Sequence, residues 1–323
     1  VPVRTVEING QPIELTKLGD IAEVKVGLQT GDNDAYLFQN PEARGNYRSI
    51  EDYREYLLTG EDLEKIRSNE SLRLAVIENG ISKDDPNSER YFGGRYIVPY
   101  DKGGESDAVG GWMPNYWVPT SYFIDWSEWA VHRMKTLTTR ARNLSKGKLG
   151  GDDGIASRFQ NSNSYLTFGV TFSSRGLYAP TFRRNAGGCY DKESSGIFIQ
   201  GDIDGFLGVV ASKTGRFFLK AFLQQTVSMD VDALKELGIL INFSFVAHYI
   251  EKLIEHQKTN PRYDYASNEQ LKIDRLVYEA YGLNADDIRE VENWYARRYP
   301  ALAAAQRANL ERKLAAESKG GQP

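Results

Sequence analysis

The strongest constraint on the fold is a switch in hydrophobic periodicity after the apolar run Ile239 to Ile241. Before it, short apolar stretches alternate with polar residues at period two, between glycine-marked turns, as half-buried strands do. Beyond it, Phe245, Val246, Tyr249, Ile250, Leu253 and Ile254 make one broad helical stripe that needs an apolar partner, and Pro261 ends it. Ser267-Asn268-Glu269-Gln270 has the capping-box pattern, opening a helix with Ile273, Leu276, Val277, Ala280 and Tyr281 on one face and Gly282 at its C-cap. Asn284 caps another helix, carrying Ile288, Val291 and Tyr295. After Pro300 an Ala-rich helix fades into a disordered SKGGQP tail. The expected fold class is α+β. A mixed-sheet domain with helical insertions should cover residues 1–242, and an α-helical region, docked on it through Tyr249, Leu253, Val277 and Tyr281, should cover 243–323.

Within the first part, Asn9-Gly10 is a two-residue hairpin turn between alternating runs. Ala22, Val24 and Val26 alternate with Glu23 and Lys25 as a strand, and Tyr36-Leu37-Phe38 resumes extended structure after a polar loop. Tyr47 to Asn79 is spaced like short helices, broken at Thr59-Gly60, and Ile81 to Arg90 is a surface loop. Tyr96 to Tyr100 reads as a strand that Pro99 confines to an edge or an end. The aromatic segment Trp112 to Trp129 (WMPNYWVPTSYFIDWSEW) reads as a core wall. Ser164 to Phe172 alternates most cleanly of all, Gly196 to Gln200 is a further strand, and Asp202 to Gln225 is helical.

The loop Gly27 to Asp34, GLQTGDND, joins conformational freedom at two glycines to short donors and acceptors on Gln29, Thr30 and Asn33 that suit base edges or phosphates. An ordinary turn uses the same residue types, so both readings stand at this point. Charge adds a second signal. The chain carries −4 overall, yet the segment 129–190 holds ten basic residues against Asp152 and Asp153, a local +8 that leaves −12 elsewhere. Such a block, including Arg140, Arg142 and Lys146, can steer a phosphate backbone or can simply be a solvated face. Arg175, Arg183 and Arg184 follow the 164–172 run. An Arg fork reads guanine O6 and N7, although pairing with Asp191 or Glu193 would occupy it instead. Lys102, on a glycine-flanked loop, is within reach of a phosphate, although the residues by themselves favour a loop lysine in solvent.

GLQTGDND, PYDKGG at residues 99–104 and IDRLVYEAYGL at residues 273–283 together resemble the target-recognition and C-terminal parts of fused adenine-specific DNA methyltransferases. These are the type IIG restriction-modification enzymes and the PglX-type methylases of BREX phage-defence systems. There the corresponding segments read close to GLATGDND, Pro-Tyr-X-Lys-Gly-Gly and LVYELYGL, and the likeness spans nearly the whole chain. The run from Ser173-Ser174-Arg175-Gly176 through Arg183-Arg184 also follows the family's pattern, whereas its helix-end Asn-Ser-Lys is here Ala211-Ser212-Lys213, a departure at the first position. The resemblance implies double-stranded DNA as partner, with Gln29, Thr30, Asn33, Lys102, Arg140, Arg142, Lys146, Ser174, Arg175, Arg183, Arg184 and Lys213 as contact residues. It implies sequence recognition while a target adenine is flipped into the active site of an N-terminal methyltransferase domain. S-adenosylmethionine would bind in that domain.

The chain itself has neither a glycine-rich cofactor loop nor an Asn/Asp-Pro-Pro-Tyr/Phe motif; Asn40-Pro41 and Asn260-Pro261 lack the second proline. No cofactor, catalytic residue or metal site is therefore expected in it, and the opening VPVRTVEI without Met suits a fragment whose catalytic domain lies upstream. One cysteine, Cys189, and no stretch of roughly 20 apolar residues point to a cytoplasmic protein without a membrane span. Two rival readings are a docking module for other phage-defence proteins and a type I-like specificity subunit. The latter would show two recognition regions, and no internal repeat is visible.

Overall fold

The structure is a computed structural model that describes residues 1–103 and 114–320, the side chains of 317–320 excepted. Its strands are β1 (Arg4–Ile8), β2 (Gln11–Lys17), β3 (Ala22–Lys25), β4 (Leu37–Gln39), β5 (Arg48–Ser49), β6 (Ile97–Asp101), β7 (Tyr122–Asp125), β8 (Val170–Phe172), β9 (Phe182–Arg184), β10 (Cys189–Tyr190), β11 (Gly196–Ile199) and β12 (Gly238–Leu240). They form three sheets, ordered β1-β2-β12, β10-β6-β7-β4-β5 and β3-β11-β8-β9. In the five-stranded sheet the β10–β6 and β4–β5 pairs are parallel and the others antiparallel, so it is mixed. The fold is α+β with a helical C-terminal region.

Two hydrophobic cores organise it, and they are nested rather than consecutive. The inner one draws on residues from Leu28 to Leu166 together with Cys189 and Tyr190. Helices Gly60–Ser68, Glu70–Asn79 and Glu128–Thr136 cover the five-stranded sheet there. Trp126 is its fully buried centre, donating from Nε1 to the Val76 carbonyl at 3.1 Å and stacking on Phe159. The outer core joins the other two sheets to helices Ile203–Ala211, Ala247–Thr259 and Glu269–Ala280. Leu253, Val277 and Tyr281 are buried in it and Tyr249 packs against it, so the helices after residue 243 share one core with strands from before residue 242.

Local chemistry explains the elements. Asn9 and Gly10 both take positive φ, 51° and 76°, the geometry of a tight hairpin turn joining β1 to β2. Thr59 and Asp62 form a reciprocal capping box at the start of Gly60–Ser68, and Asn284 with Asp287 does the same for Ala285–Arg298. Gly282, at φ 66°, lies just beyond Glu269–Ala280, where its N–H donates to the Glu279 carbonyl.

Several expectations need correction. Residues 164–169 are not a strand: Leu166 has φ 58°, Tyr165 turns inward to bond Gln160 O, and only Val170–Phe172 enters the sheet. The expected capping box of Ser267 with Gln270 does not form: the Ser267 hydroxyl donates to Gln306 O, and the helix starts behind Asn268, whose amide donates to Asp264 O and whose carbonyl is taken by Lys313. Tyr36 closes a single helical turn, Asn33–Tyr36, before β4 begins. β6 is internal, between β10 and β7; its pairing with β10 starts only at Tyr100, so the N–H that Pro99 lacks is not needed. Of the aromatic wall, Tyr116, Phe123 and Trp126 are buried and Trp129 is exposed, while Trp112 lies outside the described residues. Gly321 to Pro323 of the expected disordered tail also lie outside them; Ser318 to Gly320 belong to the helix Pro300–Gly320.

Candidate nucleic-acid interface

The loop after β3 is not a hairpin. β3 and β4 belong to different sheets, so residues 26–32 cross from one core to the other. Backbone bonds hold both flanks: Leu28 N–H donates to Tyr190 O at 2.8 Å and Leu28 O accepts from Lys192, while Gln29 and Arg158 exchange bonds of 3.2 and 2.8 Å. Two glycines are required by this close fit. A Cβ on Gly27 would stand 2.2 Å from Tyr190 O, and one on Gly31, at φ 72°, would stand 2.3 Å from Ala156 O.

Side chains finish the loop. Thr30 is buried, and its hydroxyl donates to Asn33 Oδ1, whose Nδ2 donates to the Tyr47 hydroxyl at 3.3 Å. Arg142 donates to Gly31 O at 2.8 Å, and Lys146 reaches Asp32 at 2.6 Å and Asp34 at 3.2 Å. These carboxylates hold the Lys146 ammonium above the usual lysine range, the hydrogen bond to Asp32 contributing most. Gln29 is half-buried, and its side-chain amide has no hydrogen-bond partner among the described residues. Lys102 lies 5.8 Å from the Tyr47 ring and 5.6 Å from the Tyr122 ring. Gln29, Thr30, Asn33, Lys102, Arg142 and Lys146 thus gather around one crossing loop. Arg140, exposed, joins its outer margin and faces Asp153 at 3.4 Å.

A second group adjoins the first through Gly103, whose backbone presses on that of Glu193. Ser174 donates to Glu193 O at 3.2 Å, and Arg175, 75% exposed, lies 3.5 Å from the Glu193 carboxylate. The other three residues face elsewhere. Arg184 forks onto Asp204 at the start of helix Ile203–Ala211. Arg183 is buried, bonded to the Ser173 and Thr181 hydroxyls, and burial lowers its guanidinium to about 10. Its nearby counter-charge is Asp101, a carboxyl that burial raises to about 6. Lys213 is buried between the strands and the C-terminal helices, 2.7 Å from Glu292. Neither Arg183 nor Lys213 reaches the surface, so the structure removes both from the set of exposed contact residues: burying a charge demands a partner, and each has one inside.

Three residues missing from the sequence-derived set belong to this surface. Arg158 is exposed with no ion-pair partner among the described residues, and it is fixed at the backbone to Gln29. Lys148 is exposed two residues beyond Lys146. Tyr47 bridges Asn33 and Lys102. Arg158 and Lys148 stood in the basic block; Tyr47 had no local signal. No family model matches the sequence, and no curated protein matches it. Among the described residues no group of three or more His, Cys, Asp or Glu could hold a metal ion, and no helix is long and apolar enough to cross a membrane.

Proposed function

We propose that this chain is the DNA-reading portion of a site-specific adenine-N6 methyltransferase of a restriction-modification or phage-defence system. Its partners on this reading are double-stranded DNA and an N-terminal methyltransferase domain that binds S-adenosylmethionine, and its setting is the cytoplasm. One observation carries the reading: an amide free to bond, Gln29, sits on a loop pinned at both flanks and ringed by Arg158, Arg142, Lys146 and Lys102. Rigid presentation matters because a base-reading amide must hold its donor–acceptor pair against adenine N6 and N7, while cations beside it engage phosphates.

The two roles separate experimentally in the intact methyltransferase. Arg158→Ala should weaken binding equally on all sequences and reduce the slope of log affinity against log salt by about 0.9. Gln29→Ala should leave that slope unchanged and relax the methylated sequence at one position, at a cost of about 1–3 kcal/mol. If both variants keep wild-type affinity, salt slope and methylation pattern, this surface does not read DNA. The docking-module reading has one observation in its favour. Arg140, Lys146 and Arg175 already face carboxylates, a charge-mixed surface that suits a protein partner as well.

A further inference from the structure

A cavity of about 440 Å³ opens between the outer core and the C-terminal helices, on a different part of the chain from the crossing loop. Arg216 lines it and is only 3% exposed. Unlike Lys213, this buried cation faces no carboxylate among the described ion pairs. Its Nη1 reaches the Tyr178 carbonyl at 3.4 Å and its Nη2 reaches Asn115 Oδ1 at 3.3 Å, both long, and its Nε has no hydrogen-bond partner among the described residues. A guanidinium offers five N–H donors, so most of its capacity is unspent. The guanidinium carbon lies 5.2 Å from the Tyr299 ring centre, and the side chains of Tyr265 and Tyr295 add aromatic walls to the cavity.

Of the charged side chains that line the cavity, Lys213, Arg216 and Arg262 are cations and Asp264 is an anion, and buried Asp274 accepts from the Lys213 N–H and from Gln270 behind the wall. Lys213 is answered by Glu292, and the Asp264 carboxylate is engaged by Asn309 Nδ2 and the Ser267 N–H. Arg262, at the rim, is exposed. A buried, uncompensated guanidinium is costly unless an anion completes it, and a charge-assisted fork onto an oxyanion is the interaction it is shaped for. The volume suits a small ligand with one flat ring.

We infer that this cavity binds a small molecule in which a phosphate or carboxylate, held by Arg216, is carried on a planar ring packed among the tyrosines, the class that includes mononucleotides. This site is independent of the DNA-reading surface. The test is calorimetric titration of the full chain with adenosine monophosphate, adenosine, benzoate and inorganic phosphate. Saturable one-site binding of adenosine monophosphate or benzoate is expected, with adenosine weaker than the monophosphate by about tenfold or more, the loss of a charge-assisted contact. The monophosphate winning over benzoate names phosphate as the natural anion, and the reverse names carboxylate. Arg216→Gln should reduce binding by the same factor. Because that variant touches a buried group, Ala305→Trp, which fills the cavity from the helix at its rim, serves as a second variant. It should abolish binding while the circular dichroism melt stays cooperative. Failure of both ring-bearing anions to bind, or binding unchanged in both variants, overturns the inference; occupation of the cavity by a partner protein's side chains would give the first of these results.

Discussion

Replacing Lys146 by methionine tests whether the crossing loop is held by charge. Lys146 Nζ lies 2.6 Å from Asp32, whose side chain is 4% exposed, whereas Lys146 is 36% exposed. Fully exposed pairs contribute about 0–1 kcal/mol, and breaking a fully buried one costs about 3–5 kcal/mol. A pair with one buried and one half-open partner should fall between, at about 2 kcal/mol, because Asp32 loses its one side-chain hydrogen-bond partner among the described residues. Asp34, 76% exposed, adds little. Asp32→Asn combined with Lys146→Met should recover most of the loss, since no buried charge is then stranded. Urea unfolding at pH 7, followed by fluorescence of the five tryptophans and by circular dichroism, gives the double-mutant cycle. A single variant within 0.5 kcal/mol of wild type, on the scale of ordinary surface changes, would refute the argument. So would a double variant whose loss equals the sum of the two single losses.

Gly31→Ala, at positive φ and 2.3 Å from Ala156 O, should cost about 3 kcal/mol or more in the same assay, whereas Gly147→Ala, with open space around it, should cost only about 1–2 kcal/mol. Burial raises the Asp274 carboxyl to about 6 and the Asp101 carboxyl to about 6. A carboxyl raised on folding stabilises most below its unfolded value near 4, and that stability is lost as pH climbs through about 6. Asp274→Asn should therefore gain up to about 3 kcal/mol on wild type between pH 4 and pH 7. Asp101 preserves part of the slope, and a profile of Tm against pH as steep as wild type would contradict this. Tyr281→Ala, removing a fully buried ring that packs edge-on to Phe218 at 5.5 Å, should cost about 3–5 kcal/mol and expose the C-terminal helices to limited proteolysis.

What the sequence revealed was local. Asn9-Gly10, the Asn284 cap and the Gly282 terminus depend on neighbours within a few residues, and each is where its residue types demand. The misreadings came from distant partners. Tyr165 alternates like a strand residue, yet its ring packs edge-on with both Trp126 and Tyr190. Ser267 and Gln270 have the spacing of a capping box, but Gln306, 39 residues on, takes the Ser267 hydroxyl. Lys213 looked like a surface cation because Glu292, its counter-charge, is 79 residues away. Around the crossing loop, Gln29, Asn33, Arg142 and Lys146 could be named from composition and charge. Which of them stays unpaired could not, since that depends on Tyr47, Asp32 and Gly31 at close range.

The nesting of the two cores sets an order of events during synthesis. The inner core is complete once Tyr190 has emerged, whereas the outer one needs residues from Ile13 to Tyr281. The first hairpin is clasped by the last helices through Asn9, which donates to Gly282 O across 273 residues. At about 5–20 residues per second, a translating ribosome leaves β1 and β2 waiting roughly 15–50 s for that clasp. During the wait, β2 has an open edge where β12 will pair, and the strands of the outer sheets lack their helical cover. A nascent chain stalled near residue 242 should consequently hold a folded interior and an adhesive exterior, which makes chaperone capture at that length a natural stage in its biogenesis.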